Sequence, residues 1–273
     1  TLKIQSGAGL VSIGGNMANL SNLLLDSSSA INLTGAISGT GALSKLNANT
    51  LTLTGLATYT GSTEVTAGGI VLTNNVAPAT SGFTGAGTVV IEPSTSFTSA
   101  VTSAYNFAST LTGLRLGKEN NTQSITTSSA ISIAGPVSLY GAGIAINNNI
   151  DTRAGGLSGD VLVKSSVDIL LAPTKFIKTT GGDVVLWSNS DAQKTDGTIL
   201  LSNGSSVSTS SGHVWLGGGS GSTSWNGLTV GDGYAVPNTN AITSASGSLR
   251  AGVIFDVSSV QTSGGNIAVN AMS

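Results

Sequence analysis

Apolar residues in this chain fall in pairs at i and i+2, the two positions of a β-strand that face the same side. The pairs run Val11/Ile13, Leu23/Leu25, Ile31/Leu33, Leu51/Leu53, Ile70/Leu72, Val89/Ile91, Leu114/Leu116, Ile131/Ile133 and Val137/Leu139. They continue through Ile144/Ile146, Val161/Val163, Ile169/Leu171, Val184/Leu186, Ile199/Leu201, Val214/Leu216, Leu228/Val230, Val253/Phe255 and Ile267/Val269. Ile31, Leu51, Ile70 and Val89 open strands at one nearly constant interval, whereas Ile169, Val184, Ile199, Val214 and Leu228 follow one another at a shorter interval that is just as regular. This spacing predicts a coil of about 20 residues early and a wider coil of about 30 residues, with two strong strands, later.

A longer phrase recurs within the second half: an aliphatic residue, a Thr, a Gly-containing turn and an aliphatic pair. It reads Ile177, Thr179, Gly181, Gly182, Val184, Leu186; then Val207, Thr209, Gly212, Val214, Leu216; then Val260, Thr262, Gly264, Gly265, Ile267, Val269. Ile150, Thr152, Gly159, Val161, Val163 is a fourth copy with a longer turn. Similar units at intervals of tens of residues stack on one another. The predicted fold is therefore all-β, a parallel β-helix (β-solenoid), right-handed by the rule for parallel crossovers. Residues 1–273 are expected to form a single continuous solenoid. Residues 94–113, with the faint helical spacing of Ala100, Ala104, Tyr105, Ala108 and Leu111, and the Gly/Ser-rich stretch 217–246 are expected as irregular excursions from it.

Composition fits a stacked coil. Charged residues make up 8% of the chain and the net charge is -2, so like charges seldom meet in the outward columns, where they would repel. Thr, Ser and Asn can form hydrogen-bonded ladders there, and Gly and Asn serve the corners. The 39% hydrophobic content argues against a disordered Ser/Gly linker. Zero Cys excludes disulfides and thiolate metal sites, and a single His excludes a His-based zinc site. No metal or other cofactor is expected. No apolar run is long enough for a membrane-spanning helix. Ten Lys and Arg scattered among twelve acids form no basic stripe, so no nucleic-acid partner is expected. The sequence opens inside a strand-like phrase, Leu2-Lys3-Ile4, and closes soon after Ile267 and Val269, without charged or helical cover. An internal stretch of a longer rod, or a unit that self-associates end to end, is expected on that ground, unless residues 14–22 or 94–113 fold over an end as a cap.

Residues 39–72 read GTGALSKLNANTLTLTGLATYTGSTEVTAGGIVL. In order and spacing, Gly39 to Lys45, Leu51 to Gly55, Tyr59 to Gly61 and Gly68 to Leu72 resemble the autotransporter-associated β-strand repeat of bacterial type V secreted proteins. Ala57 stands where that repeat has Asn. From Ile131 onward, with GPVSLYGAGIAINNNI at 135–150, the chain is similar to large filamentous-haemagglutinin-like surface exoproteins. These resemblances imply a right-handed β-helical rod at the bacterial surface or secreted from it. They also imply a non-enzymatic role in adhesion or in matrix and biofilm assembly, without naming a ligand; the outward aromatic residues make a glycan or a cell-surface protein the expected partner.

A β-helix can also carry a polysaccharide-degrading enzyme or a carbohydrate-binding module. Hydrolysis needs two carboxylates about 5 to 10 Å apart at one cleft. The residue after the turn glycine is Asp160, then Asp183, His213 and Asn266. Stacked, these would make a surface column able to hold a cation or move a proton; alternatively, such residues are simply tolerated at the end of a Gly turn, and no catalytic residue is assigned. Asp191 and Asp196 flank Lys194 in an expected solvated loop, and Lys175, Lys178 and Lys194 are expected at outward positions or corners. Trp215, Trp225 and Tyr234 are the candidate ligand contacts. Trp215 occupies the outward slot between Val214 and Leu216, where it can stack on a sugar unless the 217–246 excursion covers it. Ice binding is a minor alternative, suggested by Thr50, Thr52 and Thr54 but not repeated at Val71 and Val90.

Overall fold

A computed structural model describes residues 1–191, 193, 195–240, 242–244 and 247–273. The chain is a β-solenoid of stacked parallel coils. One sheet runs the length of the rod. It takes in Val11–Ile13, Ile31–Leu33, Thr50–Leu53, Gly69–Thr73, Thr88–Glu92, Gly113–Leu116, Val137–Gly141, Val161–Ser165, Val184–Ser188 and the start of Val214–Trp225, with Ile267–Val269 laid on the last. Register is kept at every step, so Val161, Val184, Val214 and Ile267 share one inward column. Those inward side chains are buried up to Val214 and Leu216, whereas Ile267 and Val269 of the last strand are partly exposed.

The other walls change part-way. In the first part a second sheet is built from Leu2–Ser6, Met17–Ser27, Ile37–Lys45, Thr63–Val65, Gly82–Gly85 and Asn106–Phe107. After it two short-stranded sheets take over. One holds Val101–Ser103, Ile125–Thr127, Ile144–Ile146, Ile169–Leu171, Ile199–Leu201 and Val253–Phe255; the other holds Ile131–Ser132, Ile150–Asp151, Phe176–Lys178, Ser206–Ser208 and Ser259–Gln261. Residues 94–113, expected as an excursion, contribute strands to the coil at this changeover and form no helix. Phe83, Tyr105 and Phe107 pack there as a cluster, with Phe83 and Phe107 stacked at 5.9 Å between ring centres and Tyr105 edge-on to both. The Tyr105 hydroxyl donates to the Pro78 carbonyl at 2.9 Å, which satisfies the one polar atom the cluster buries.

The short, regular interval between Ile169, Val184, Ile199 and Val214 comes from alternation between two walls of one wide coil. Leu228 breaks from it. The strand Leu228–Gly233 is antiparallel to the end of Val214–Trp225, so the pair Leu228/Val230 belongs to a hairpin outside the coil. Its two-residue turn is Asn226-Gly227, both at positive φ (47° and 83°), the arrangement that suits the twist of a tight hairpin. The expected excursion at 217–246 thus contains an ordered hairpin over residues 218–233. Because the hairpin stands outside the coil, Val214 can pair directly with Ile267 of the final strand.

Two details explain the recurring phrase. The Thr hydroxyl closes the turn on itself: Thr152 donates to Gly159 O and Thr262 to Gly265 O, each at 2.6 Å, and Thr179 and Thr209 donate likewise to Gly182 and Gly212. The turn glycines also stack. A Cβ on Gly182 would collide with the Gly159 carbonyl, and one on Gly212 with the Gly182 carbonyl, so the coils approach as closely as they do only without side chains there. The motif Gly39 to Lys45 gives a different result. The alternation that turns Leu43 inward also turns Lys45 inward, and Lys45 is fully buried, its Nζ donating to the carbonyls of Ala67 (2.8 Å) and Asn47. Burial lowers its pKa to about 8. No helix among the described residues is long and apolar enough to cross a membrane.

Candidate functional site

Asp160, Asp183, His213 and Asn266 form one column, an arrangement that the sequence left open. Asp160 Oδ1 accepts the backbone N–H of Asp183 at 2.9 Å, Asp183 Oδ1 that of His213 at 2.6 Å, and His213 Nδ1 that of Asn266 at 2.9 Å. Each of the first three side chains therefore caps a backbone N–H of the next coil. The column is a staple between coils.

Another carboxylate has a similar role. Asp168 accepts the N–H groups of Gly197 and Thr198 at 3.0 and 2.7 Å and the Asn238 amide at 2.7 Å, which holds the loop before Ile199 and the segment after the hairpin. Asp196 lies near Asp168 and Asp191; burial, then these two charges, raise its pKa. Lys178 is outward, with its ammonium 4.3 Å from the Phe176 ring centre. Lys194 lies outside the described residues. Among the described residues no group of three or more His, Asp or Glu is placed to hold a metal ion.

The hairpin 218–233 folds back across the outer face of the long sheet. Trp215, expected as a ligand contact, is only 1% exposed: with Val185, Trp187 and Val230 it forms a second apolar cluster outside the coil, joined by half-buried Leu162, Trp225 and Leu228. Trp187 and Trp215 meet edge to face at 6.3 Å, and the Trp187 indole N–H donates to Gly219 O at 2.6 Å, fastening the hairpin to the sheet. Trp225 is half-buried, edge-on to His213 at 5.6 Å. Tyr234, by contrast, is 55% exposed. The covering follows from the outward row Leu162, Val185, Trp215, an apolar strip that the hairpin removes from water. On the same face the row Asn32, Thr52, Val71, Val90, Arg115 carries no Thr ladder.

Beside the hairpin runs a groove. Its floor is the column Tyr140, Lys164, Trp187, in register on three successive coils. One wall is the loop 118–122 and the other the hairpin at Ser220–Ser222. The groove comprises two adjoining cavities of about 360 and 410 Å³ that share Glu119, Tyr140, Lys164 and Ser220. Lys164 donates to Glu119 at 2.7 Å and lies 4.0 Å from the Trp187 ring centre, so its charge is engaged from both sides. Burial, then the Glu119 charge, raises the pKa of Tyr140, while Arg115 opposes this. Sequence reasoning missed the groove floor. The signal was present: Tyr140, Lys164 and Trp187 each follow directly on an inward pair, Val137/Leu139, Val161/Val163 and Val184/Leu186.

Comparison of the chain with family models, with curated proteins and with solved structures finds no match.

Proposed function

We propose that this chain is a stretch of a non-enzymatic adhesive rod, displayed at or secreted from a bacterial surface and serving attachment or matrix assembly through a glycan or a cell-surface protein. The observation that carries the reading is the use to which the acidic and imidazole side chains are put. Asp160, Asp183 and His213, the best catalytic set in the sequence, each hold the backbone of the next coil, and Asp168 holds three donors at once. A rod that uses its scarce charges to hold its coils together suits a structural or display role. The likeness of residues 39–72 to autotransporter repeats and of the later part to haemagglutinin-like exoproteins supports the same reading.

The experiment is attachment. Beads coated with the 273-residue protein are expected to adhere to cells or to polysaccharide films well above beads coated with an inert protein, without release of reducing or unsaturated sugars. Absence of adhesion on every surface tried would overturn the reading. Sugar release would point instead to a polysaccharide-degrading enzyme, whose carboxylates would then be sought first in Glu119 and Asp191, which both line the groove.

A further inference from the structure

We propose that the groove between the loop 118–122 and the hairpin is a binding subsite for a neutral sugar chain, with Tyr140 as the surface on which a ring stacks. The proposal rests on the adhesive reading and names its ligand class and its place. Three observations point to it. First, the volume is that of a small-ligand site, about 360 and 410 Å³ in two connected cavities, and the groove is open along the face of the rod, as an extended chain requires. Second, the charges cancel. The lining sets two lysines, Lys118 and Lys164, against two carboxylates, Glu119 and Asp191; Lys164 is paired with Glu119 and the Lys118 ammonium is drawn to the Ser94 carbonyl, so the groove has no net positive charge to favour an acidic polymer. Third, the remaining polar lining is hydroxyl and amide, from residues such as Asn120, Ser166, Ser190 and Ser222, around one half-buried phenol ring. Hydroxyl and amide groups beside an aromatic ring match a sugar, which has an apolar face and a rim of hydroxyls.

The site is built by tertiary structure. Tyr140 comes from the coil, the loop 118–122 from the coil before it, and Ser220–Ser222 from the hairpin fastened by Trp187. Asn121 accounts for the position of the loop, because its amide donates to the carbonyl of Tyr140 at 3.1 Å and so ties wall to floor.

The test is calorimetric titration of the protein with oligosaccharides of glucose, mannose, galactose and N-acetylglucosamine, and with oligogalacturonate as the acidic counterpart. At least one neutral series is expected to bind. Tyr140→Ala should weaken that binding about 10-fold or more, and Tyr140→Phe, which keeps the ring, by no more than about 3-fold. Ser220→Trp, at an exposed wall position, should block the groove without touching the core. Melting temperature and circular dichroism of the variants verify that the fold survives, and Ser220→Trp remains the test if Tyr140→Ala does not fold. The proposal is overturned if no neutral oligosaccharide binds, if only oligogalacturonate binds, or if both Tyr140→Ala and Ser220→Trp bind as the parent does. Coated beads that adhere while every titration is flat overturn the groove and leave the adhesive reading standing. Sugar binding that depends on Tyr140, with beads that adhere to nothing, does the reverse.

Discussion

The carboxylate of Asp183 accepts the backbone N–H of His213 at 2.6 Å, joining one coil to the next, and the same side-chain position is used in the coils on either side. A bond of this kind stabilises by about 1 to 3 kcal/mol when the acceptor is charged. Asp183→Ala is therefore expected to lower unfolding stability by about 1 to 2 kcal/mol, and Asp183→Asn, which keeps a carbonyl acceptor, by clearly less. Urea denaturation separates the two. Equal losses would show that the His213 N–H is satisfied some other way.

Adjacent glycines offer a sharper contrast. Gly181 is exposed, and a Cβ there meets nothing closer than 3.5 Å, whereas a Cβ on Gly182 collides with the Gly159 carbonyl of the coil below. Gly181→Ala should change stability by less than about 1 kcal/mol. Gly182→Ala should cost about 3 kcal/mol or more, because the Gly159 carbonyl is held in its turn by the Thr152 hydroxyl just before the strand Val161–Ser165 and has no room to move. Similar melting temperatures for the two variants would contradict the stacked glycine column.

Lys45 sets an alkaline dependence of stability. Its ammonium is pushed by burial from 10.5 to about 8, so between those values the unfolded chain holds more protons than the folded one and stability rises with pH. The rise is up to about 3 kcal/mol and is complete near pH 10.5. Tyr59 works the other way. Burial lifts its phenol from 10.0 to about 12, against the opposing effect of its hydrogen bond with Thr63, so its contribution is present below pH 10 and is lost as pH climbs toward 12. Stability against urea should peak near pH 10 in the parent, and Lys45→Met should lack the rise from pH 8 to 10. A Lys45→Met variant with the parent's profile would contradict the buried ammonium.

The hairpin is open to a spectroscopic check. Trp187 and Trp215 are 3% and 1% exposed and Trp225 is half-buried, so acrylamide should quench chiefly Trp225. Trp225→Phe is expected to show blue-shifted emission and little quenching. Strong quenching in that variant would mean that the hairpin does not cover the sheet.

Inward strand positions were legible because burial on one face imposes a period of two on the sequence. Leu51/Leu53 and Val184/Leu186 needed nothing more, and the turn phrase marked its own register through Thr209 and Gly212. Leu228 shows where the period misleads. It follows Val214 at nearly the same interval as the pairs before it, yet the Asn226-Gly227 turn sends its strand back along the preceding one. The fate of Trp215 was also beyond the strand pattern, since its outward position was correct and the hairpin that covers it is a long-range contact. Unequal loops obscured the column of Asp160, Asp183 and His213, because the solenoid absorbs widely different lengths of chain between equivalent positions without changing the stack. Lys45 and Tyr140 stayed hidden for a related reason. Whether an inward lysine finds carbonyls or an outward tyrosine finds walls is decided by residues far away in sequence.

The stacking of the coil before the hairpin on the coil after it carries the column across to Asn266, and cysteine pairs test it directly because the chain has no cysteine of its own. Ser208 and Gln261 are partners in parallel register, at outward positions, although the whole hairpin lies between them in sequence. Neighbouring strands lie about 4.8 Å apart, within disulfide range, whereas Ser206 and Gln261, two positions out of register, would be about 8 Å apart. Ser208→Cys with Gln261→Cys is expected to oxidise nearly completely with the circular dichroism unchanged, and Ser206→Cys with Gln261→Cys to remain largely reduced. Failure of the first pair to close, or equal closure of both, would contradict the account.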